Sequence, residues 1–263
     1  GKLTAKKLGL SEREYRKTLS ALRSYIDVVE VKMSANNWSN IQYPQVPSIA
    51  MKNYRNAFKS KDGDRFNQYI NRVATGEEKI NAITLYPYDI LEAYRVGKGW
   101  GRNLRVEKQF DPVLEEQWKA LPNYIEGKNN ILVMADTSGS MSGRPLHTAV
   151  GLGVYFAERN TGAFKNVFMS FSSRPSFIHL IGETLYDKIK NVPAIIENTN
   201  IEKAFELVLF TAKRNRVPKE DMPKAIVIIS DMEFDEIHSE RSYEGYNWTF
   251  YDEMKARFEA AGY

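Results

Sequence analysis

Apolar positions change rhythm near residue 129. Before it they recur every three to four residues. In LSEREYRKTLSALRSYIDVVEVKM, Tyr15, Leu19, Leu22, Ile26 and Val29 share one face of a predicted helix. Ser11, with Glu14 three residues on, is a capping-box signature for its start. Pro44 and Pro47 then break the pattern, and a further helix begins at or just after Ser48. Phe66, Tyr69, Ile70 and Val73 mark the inner face of the next, with Gly76 as its C-cap. Pro87 opens another helix, which Gly97 follows, and Asp111-Pro112 supplies an N-cap and a first-turn proline for PVLEEQWKAL. GKGWG, with no strand before it, reads as a flexible linker.

After residue 129, short apolar runs alternate with helical stretches. NILVMADTS and KAIVIISD are continuous apolar runs ending in an acid, as expected of parallel strands covered on both faces. NVFMSFSS and SFIHLI read as shorter strands. RPLHTAVGLGVYFAERN, TLYDKIKNV, IEKAFELVLFTAKRN and NWTFYDEMKARFEAAGY read as helices. This alternation predicts a doubly wound parallel α/β sheet, which carries ligands at the C-terminal ends of its strands. The predicted organisation is a helical module over residues 1–128 followed by an α/β domain over 129–263. The strands from Ile131, Asn166, Ser176 and Ala225 are expected in the order 3-2-1-4, counted along the chain.

Charge supports the same division. Residues 1–128 carry 22 Lys and Arg against 15 Asp and Glu, whereas the remainder carries 15 against 18. A basic front half suits nucleic acid or an acidic protein, although a solvated face is the commoner reason for such charge. At 43% hydrophobic and 12% aromatic, the 263 residues can bury a core. The absence of cysteine excludes disulfides and thiolate chemistry and fits a reducing, cytoplasmic setting. No apolar run approaches the length of a membrane span, so no membrane partner is expected.

The candidate chemistry sits where the first long strand ends. In VMADTSGSMSG, Asp136, Ser138 and Ser140 place three oxygen-bearing side chains in alternation. Asp231 closes the second long strand, and Thr199 lies in a loop before a helix. Hydroxyls are neutral oxygen donors and carboxylates supply charge, which together suit a hard cation such as Mg²⁺. Two acids leave such an ion under-neutralised, so an acidic group from a partner can complete it. The plainer readings are a capped strand-to-helix turn for the serines, a helix cap for Thr199 and a solvated strand end for Asp231.

Asp136-x-Ser138-x-Ser140, then Thr199, then Asp231 resembles the metal-ion-dependent adhesion site of von Willebrand factor A domains. The resemblance implies Mg²⁺, with Mn²⁺ or Ca²⁺ as substitutes. Ser138 and Ser140 would be direct ligands, Thr199 a ligand that swaps between direct and water-mediated contact, and Asp136 and Asp231 charge partners. The chain from about residue 11 onward also resembles the Ro autoantigen (TROVE) family, in which HEAT-like helical repeats run into an A-type domain. It is more similar still to a Ro-related family of plants, bacteria and viruses, through KMSANNWSNI…VPSIAMKNYRNAF. The fold class this implies is α + α/β: an N-terminal helical module, then a doubly wound parallel-sheet von Willebrand A-type domain lacking its last strands, which leaves AIVIIS as a sheet edge.

The functional expectation is a metal-dependent binding protein, not an enzyme, that engages a protein partner through an acidic residue. One alternative is a Ro-like RNA-binding protein, with RNA on the basic helical module and the A-type domain accessory. The other is a Mg²⁺-dependent phosphotransfer enzyme. The second aspartate of that chemistry is replaced by Ser138, which transfers protons poorly. The three histidines, His147, His179 and His238, lie near no nucleophile, and His147 is expected to pack within a helix.

Overall fold

The computed structural model describes residues 1–99, 102–125, 127, 130–194, 201–231 and 250–263. They form a mixed helix-and-sheet structure in two compact units, Gly1–Thr84 and Leu85–Tyr263.

The first unit is helical: α1 (Lys2–Lys7), α2 (Glu12–Tyr25), α3 (Val29–Ser34), α4 (Ser48–Lys61) and α5 (Gly63–Ala74). The capping box at Ser11 forms, with Ser11 Oγ accepting from Glu14 N at 3.3 Å and Glu14 accepting from Ser11 N at 2.9 Å. The single helix expected from Ser11 to Met33 is instead two, because Asp27 takes a left-handed conformation (φ 52°) between α2 and α3. Only Val29 of the five positions read as one apolar face is then buried. Tyr15 and Leu19 are half-buried, and Leu22 and Ile26 are exposed.

The core of this unit lies lower in the chain. Phe66, Tyr69, Ile70 and Val73 of α5 are all buried, and Phe58 and Met51 of α4 face them. Tyr43, Phe58 and Phe66 have centroids 4.9–5.5 Å apart, close enough for favourable ring–ring contact. Asp62 and Arg65 border this cluster. Asp62 accepts from Tyr43 Oη at 2.7 Å, and Arg65 donates to Asp62 and to the carbonyls of Trp38 and Ile41. Burial acts to raise the Asp62 pKa, but its bonds from Arg65 and Tyr43 outweigh that and hold it below the usual range.

The second unit begins with α6 (Pro87–Tyr94), a short antiparallel ribbon of β1 (Val96–Gly97) and β2 (Arg105–Val106), and α7 (Pro112–Lys119). Asp111 caps α7 as expected, accepting from Val113 N at 3.0 Å. The ribbon corrects two expectations: the region before residue 129 is not purely helical, and Gly97 lies in a paired strand, not a free linker. The helix before it ends at Arg95, in a left-handed conformation (φ 52°).

There follow β3 (Ile131–Ala135), α8 (Arg144–Arg159), β4 (Val167–Ser170), β5 (Phe177–His179), α9 (Leu185–Lys190), α10 (Ile201–Asn215), β6 (Ala225–Ile229) and α11 (Phe250–Ala260). The four strands form one sheet in the order β5-β4-β3-β6, which is the expected 3-2-1-4. β3 is parallel to both β4 and β6, but β5 is antiparallel to β4, so the sheet is mixed where an all-parallel one was expected. The turn from Phe171 to Ser176 is too short for a crossover helix, and a short connection permits only antiparallel pairing.

Within this second unit α6 packs on α8. At their contact a Cβ on Gly151 would come within 3.2 Å of Pro87 and Tyr88 backbone atoms. A Cβ on Gly153, two residues on, would come within 3.0 Å of the Phe168 ring of β4. The glycines of GLG thus let one helix approach both a helix and the sheet.

Candidate functional site

β3 carries the first candidate residue, and its start is held by a side chain. Asn160 accepts from Ile131 N at 3.0 Å and donates to Ile131 O at 2.8 Å, doing for the strand's first residue what a neighbouring strand would do. Asn130 likewise accepts from Thr161 N and donates to Asp221 O. From this anchored start β3 runs in register with β6, Ile131 opposite Ala225 through Ala135 opposite Ile229. Asp136 and Ser230 therefore emerge side by side at the C-terminal edge, with Asp136 N donating to Ile229 O at 3.0 Å.

Asp136 is 2% exposed, and both of its carboxylate oxygens are engaged. Oδ1 accepts from Ser138 N at 2.6 Å, and Oδ2 accepts from Ser230 Oγ at 2.9 Å. The same Ser230 hydroxyl lies 3.5 Å from Asp231 Oδ1, so one side chain touches both acids. Asp231 is exposed. Ser138 Oγ and Ser140 Oγ lie 3.0 Å apart. Neither serine caps α8: its N-cap is Gly143, in a left-handed conformation (φ 84°), with no side-chain bond. The capping role considered for these serines is therefore unfilled.

The structure thus brings together Asp136, Ser138, Ser140 and Asp231 at one strand edge. Thr199 lies outside the described residues. Among the described residues no three of His, Cys, Asp and Glu cluster, so a cation here would depend on hydroxyls and these two acids. Adjacent oxygens around Mg²⁺, with bonds of 2.0–2.1 Å at right angles, lie about 2.9 Å apart, and the wider Ca²⁺ shell separates them further. The Ser138–Ser140 spacing is that of a hydrogen bond between the two hydroxyls, and it is also compatible with adjacent ligands of the smaller ion.

Two participants were not apparent in the sequence. Ser230 carries no signal of its own in the sequence, yet its hydroxyl bonds Asp136. Lys98, in the supposed linker, buries its Nζ with no hydrogen-bond partner among the described residues and lies within electrostatic reach of Asp136. Burial holds its pKa below the ordinary lysine value, and the Asp136 charge only partly restores it. Its ribbon is fastened by His147 of α8, which is buried as expected and whose Nε2 lies 2.7 Å from Val96 O. No pattern of types or spacing marks Lys98; only the paired ribbon brings it there.

Comparison with known proteins places the chain in a family. A model described as a domain of unknown function, DUF7788, matches residues 130–263, and another so described, DUF2828, matches residues 4–131. The first covers half the chain, which therefore belongs to the DUF7788 family. The chain is also 28% identical, over 97% of its length, to the uncharacterized protein L728 of Acanthamoeba polyphaga mimivirus. It spans about half (45%) of that relative's length. No solved structure matches it.

Proposed function

We propose that this DUF7788-family chain is a metal-dependent binding protein whose second unit holds Mg²⁺ in an adhesion-type site, of the kind found in von Willebrand factor A domains, and engages an acidic group of a protein partner. Ser138 and Ser140 would give hydroxyl ligands, with Thr199 as a third. Asp136 and Asp231 would supply charge, and Ser230 would hold the Asp136 carboxylate in place. One observation carries the reading: two hydroxyls 3.0 Å apart that cap no helix, beside two carboxylates that share Ser230. The metal would act as a Lewis-acidic anchor for a carboxylate. Nothing in the arrangement requires a nucleophile or a general acid.

Calorimetric titration with Mg²⁺ tests the assignment of ligands. Wild type is expected to bind one ion. The double variant Ser138→Ala/Ser140→Ala, which keeps every charge, is expected to bind at least about ten-fold more weakly, because Mg²⁺ loses two oxygens that water must replace without preorganisation. Equal affinity would remove the serines from the site.

A second reading, RNA binding by a Ro-like helical module, is favoured by a different feature. Lys6, Lys7, Arg13, Arg16, Lys17 and Arg23 of the first two helices are all exposed, and none makes an ion pair among the described residues. Phosphate contacts made by such cations weaken steeply with salt, which separates this reading from a carboxylate held on a metal.

A further inference from the structure

We propose that Lys98 is a second cationic contact for the carboxylate ligand of the Asp136 site, an inference that rests on the metal-binding reading above. Lys98 is not a loose surface lysine. The ribbon that carries it pairs Val96 with Val106 and Gly97 with Arg105. It is fastened by His147 at Val96 and by the segment after α9, where Leu104 N donates to Val192 O and Ala194 N to Arg102 O, each at 2.8 Å. Between these anchors the Lys98 ammonium is buried and has no acceptor among the described residues. A buried charge without a partner is unfavourable, and an apolar side chain of the same length would pack there at less cost.

Among the described residues the charge acting on this ammonium is that of Asp136, yet the two make no hydrogen bond. Both Asp136 oxygens are already engaged by Ser138 N and Ser230 Oγ. The donors of Lys98 are therefore left for an acceptor that arrives with the ligand. Charge indicates its sign. Asp136 and Asp231 at most balance one divalent ion, so the ammonium makes the loaded site net positive and selects an anion. A carboxylate has two oxygens, one for the ion and one for Lys98.

Lys98 then has opposite effects on the two ligands: it repels the metal ion and attracts the carboxylate. Mn²⁺ can stand in for Mg²⁺, with acetate as the carboxylate probe. Water-proton relaxation reports Mn²⁺ binding, and relaxation of the acetate methyl protons reports acetate beside the bound ion. Lys98→Met is expected to bind Mn²⁺ about five-fold more tightly, since a like charge is removed, and to lose most of the acetate enhancement. Lys98→Arg should retain that enhancement. Should Lys98→Met not fold, Lys98→Gln removes the same charge.

Equal acetate enhancement in wild type and the neutral variant would overturn the role of Lys98 and leave the metal reading standing. Weaker binding of both Mn²⁺ and acetate by the neutral variant would reduce Lys98 to a structural part and also overturn the proposal. Failure of the wild type to bind Mn²⁺ would overturn the metal reading itself, and this inference with it.

Discussion

Replacing Phe58 by alanine is expected to destabilise the first unit by about 4 kcal/mol, the range for removing a fully buried aromatic side chain. Phe58 is completely buried, and its ring meets those of Trp38, Tyr43, Tyr54 and Phe66 at centroid distances of 5.4–6.5 Å. The neighbouring rings cannot close the gap without moving Tyr43, whose hydroxyl is fixed by Asp62. Tyr25, which is 87% exposed, gives the control: its alanine variant should change stability by less than about 0.5 kcal/mol. Urea denaturation of the three proteins measures both values. A Phe58→Ala cost below about 1 kcal/mol would mean that this cluster is not the core.

The second large effect concerns the strand that carries Asp136. Asn160→Leu should cost the second unit about 3 kcal/mol, although leucine has the same number and branching of side-chain heavy atoms as asparagine. Asn160 is 2% exposed and serves both Ile131 N and Ile131 O. Without it, two backbone groups at the start of β3 lose their partners at a half-buried position, at about 1–3 kcal/mol each where water does not replace them. The same substitution frees the anchored end of the strand, so any Mg²⁺ affinity should fall with it. A denaturation midpoint equal to that of wild type would show that solvent reaches Ile131.

How far these features were legible depends on their range along the chain. The capping box at Ser11, the Asp111 cap and the inner face of α5 are made by residues within a turn or two of one another, and types at fixed spacing reveal them. The adjacency of β3 and β6 followed from requiring Asp136 and Asp231 to meet. The break at Asp27 was hidden, since one left-handed residue leaves apolar spacing on either side intact. Two-residue strands such as β1 and β2 are too short for any alternation to show.

Long-range polar contacts were the least visible. Asn160 lies 29 residues from Ile131, and Ser230 lies 94 from Asp136. Serine and asparagine are common turn residues, so neither type signals such a partner. The burial of Lys98 arises only from tertiary packing, and by composition a lysine between glycines reads as solvated.

The most direct test of the metal-binding account is thermal melting of wild type and Asp136→Asn across a Mg²⁺ titration. In the metal-free protein two effects of the substitution oppose each other: repulsion from Asp231 is relieved, and the charge opposite Lys98 is lost, so the starting difference should be small. An ion that binds only the folded wild type adds RT ln(1 + [Mg²⁺]/Kd). At about 10 mM Mg²⁺ and an assumed Kd of about 1 mM, that is about 1.4 kcal/mol. For a unit of this size the wild-type melting temperature should rise by about 3–6 °C, while Asp136→Asn stays level. If wild type and variant melt together at every Mg²⁺ concentration, Asp136 binds no ion and the account is wrong.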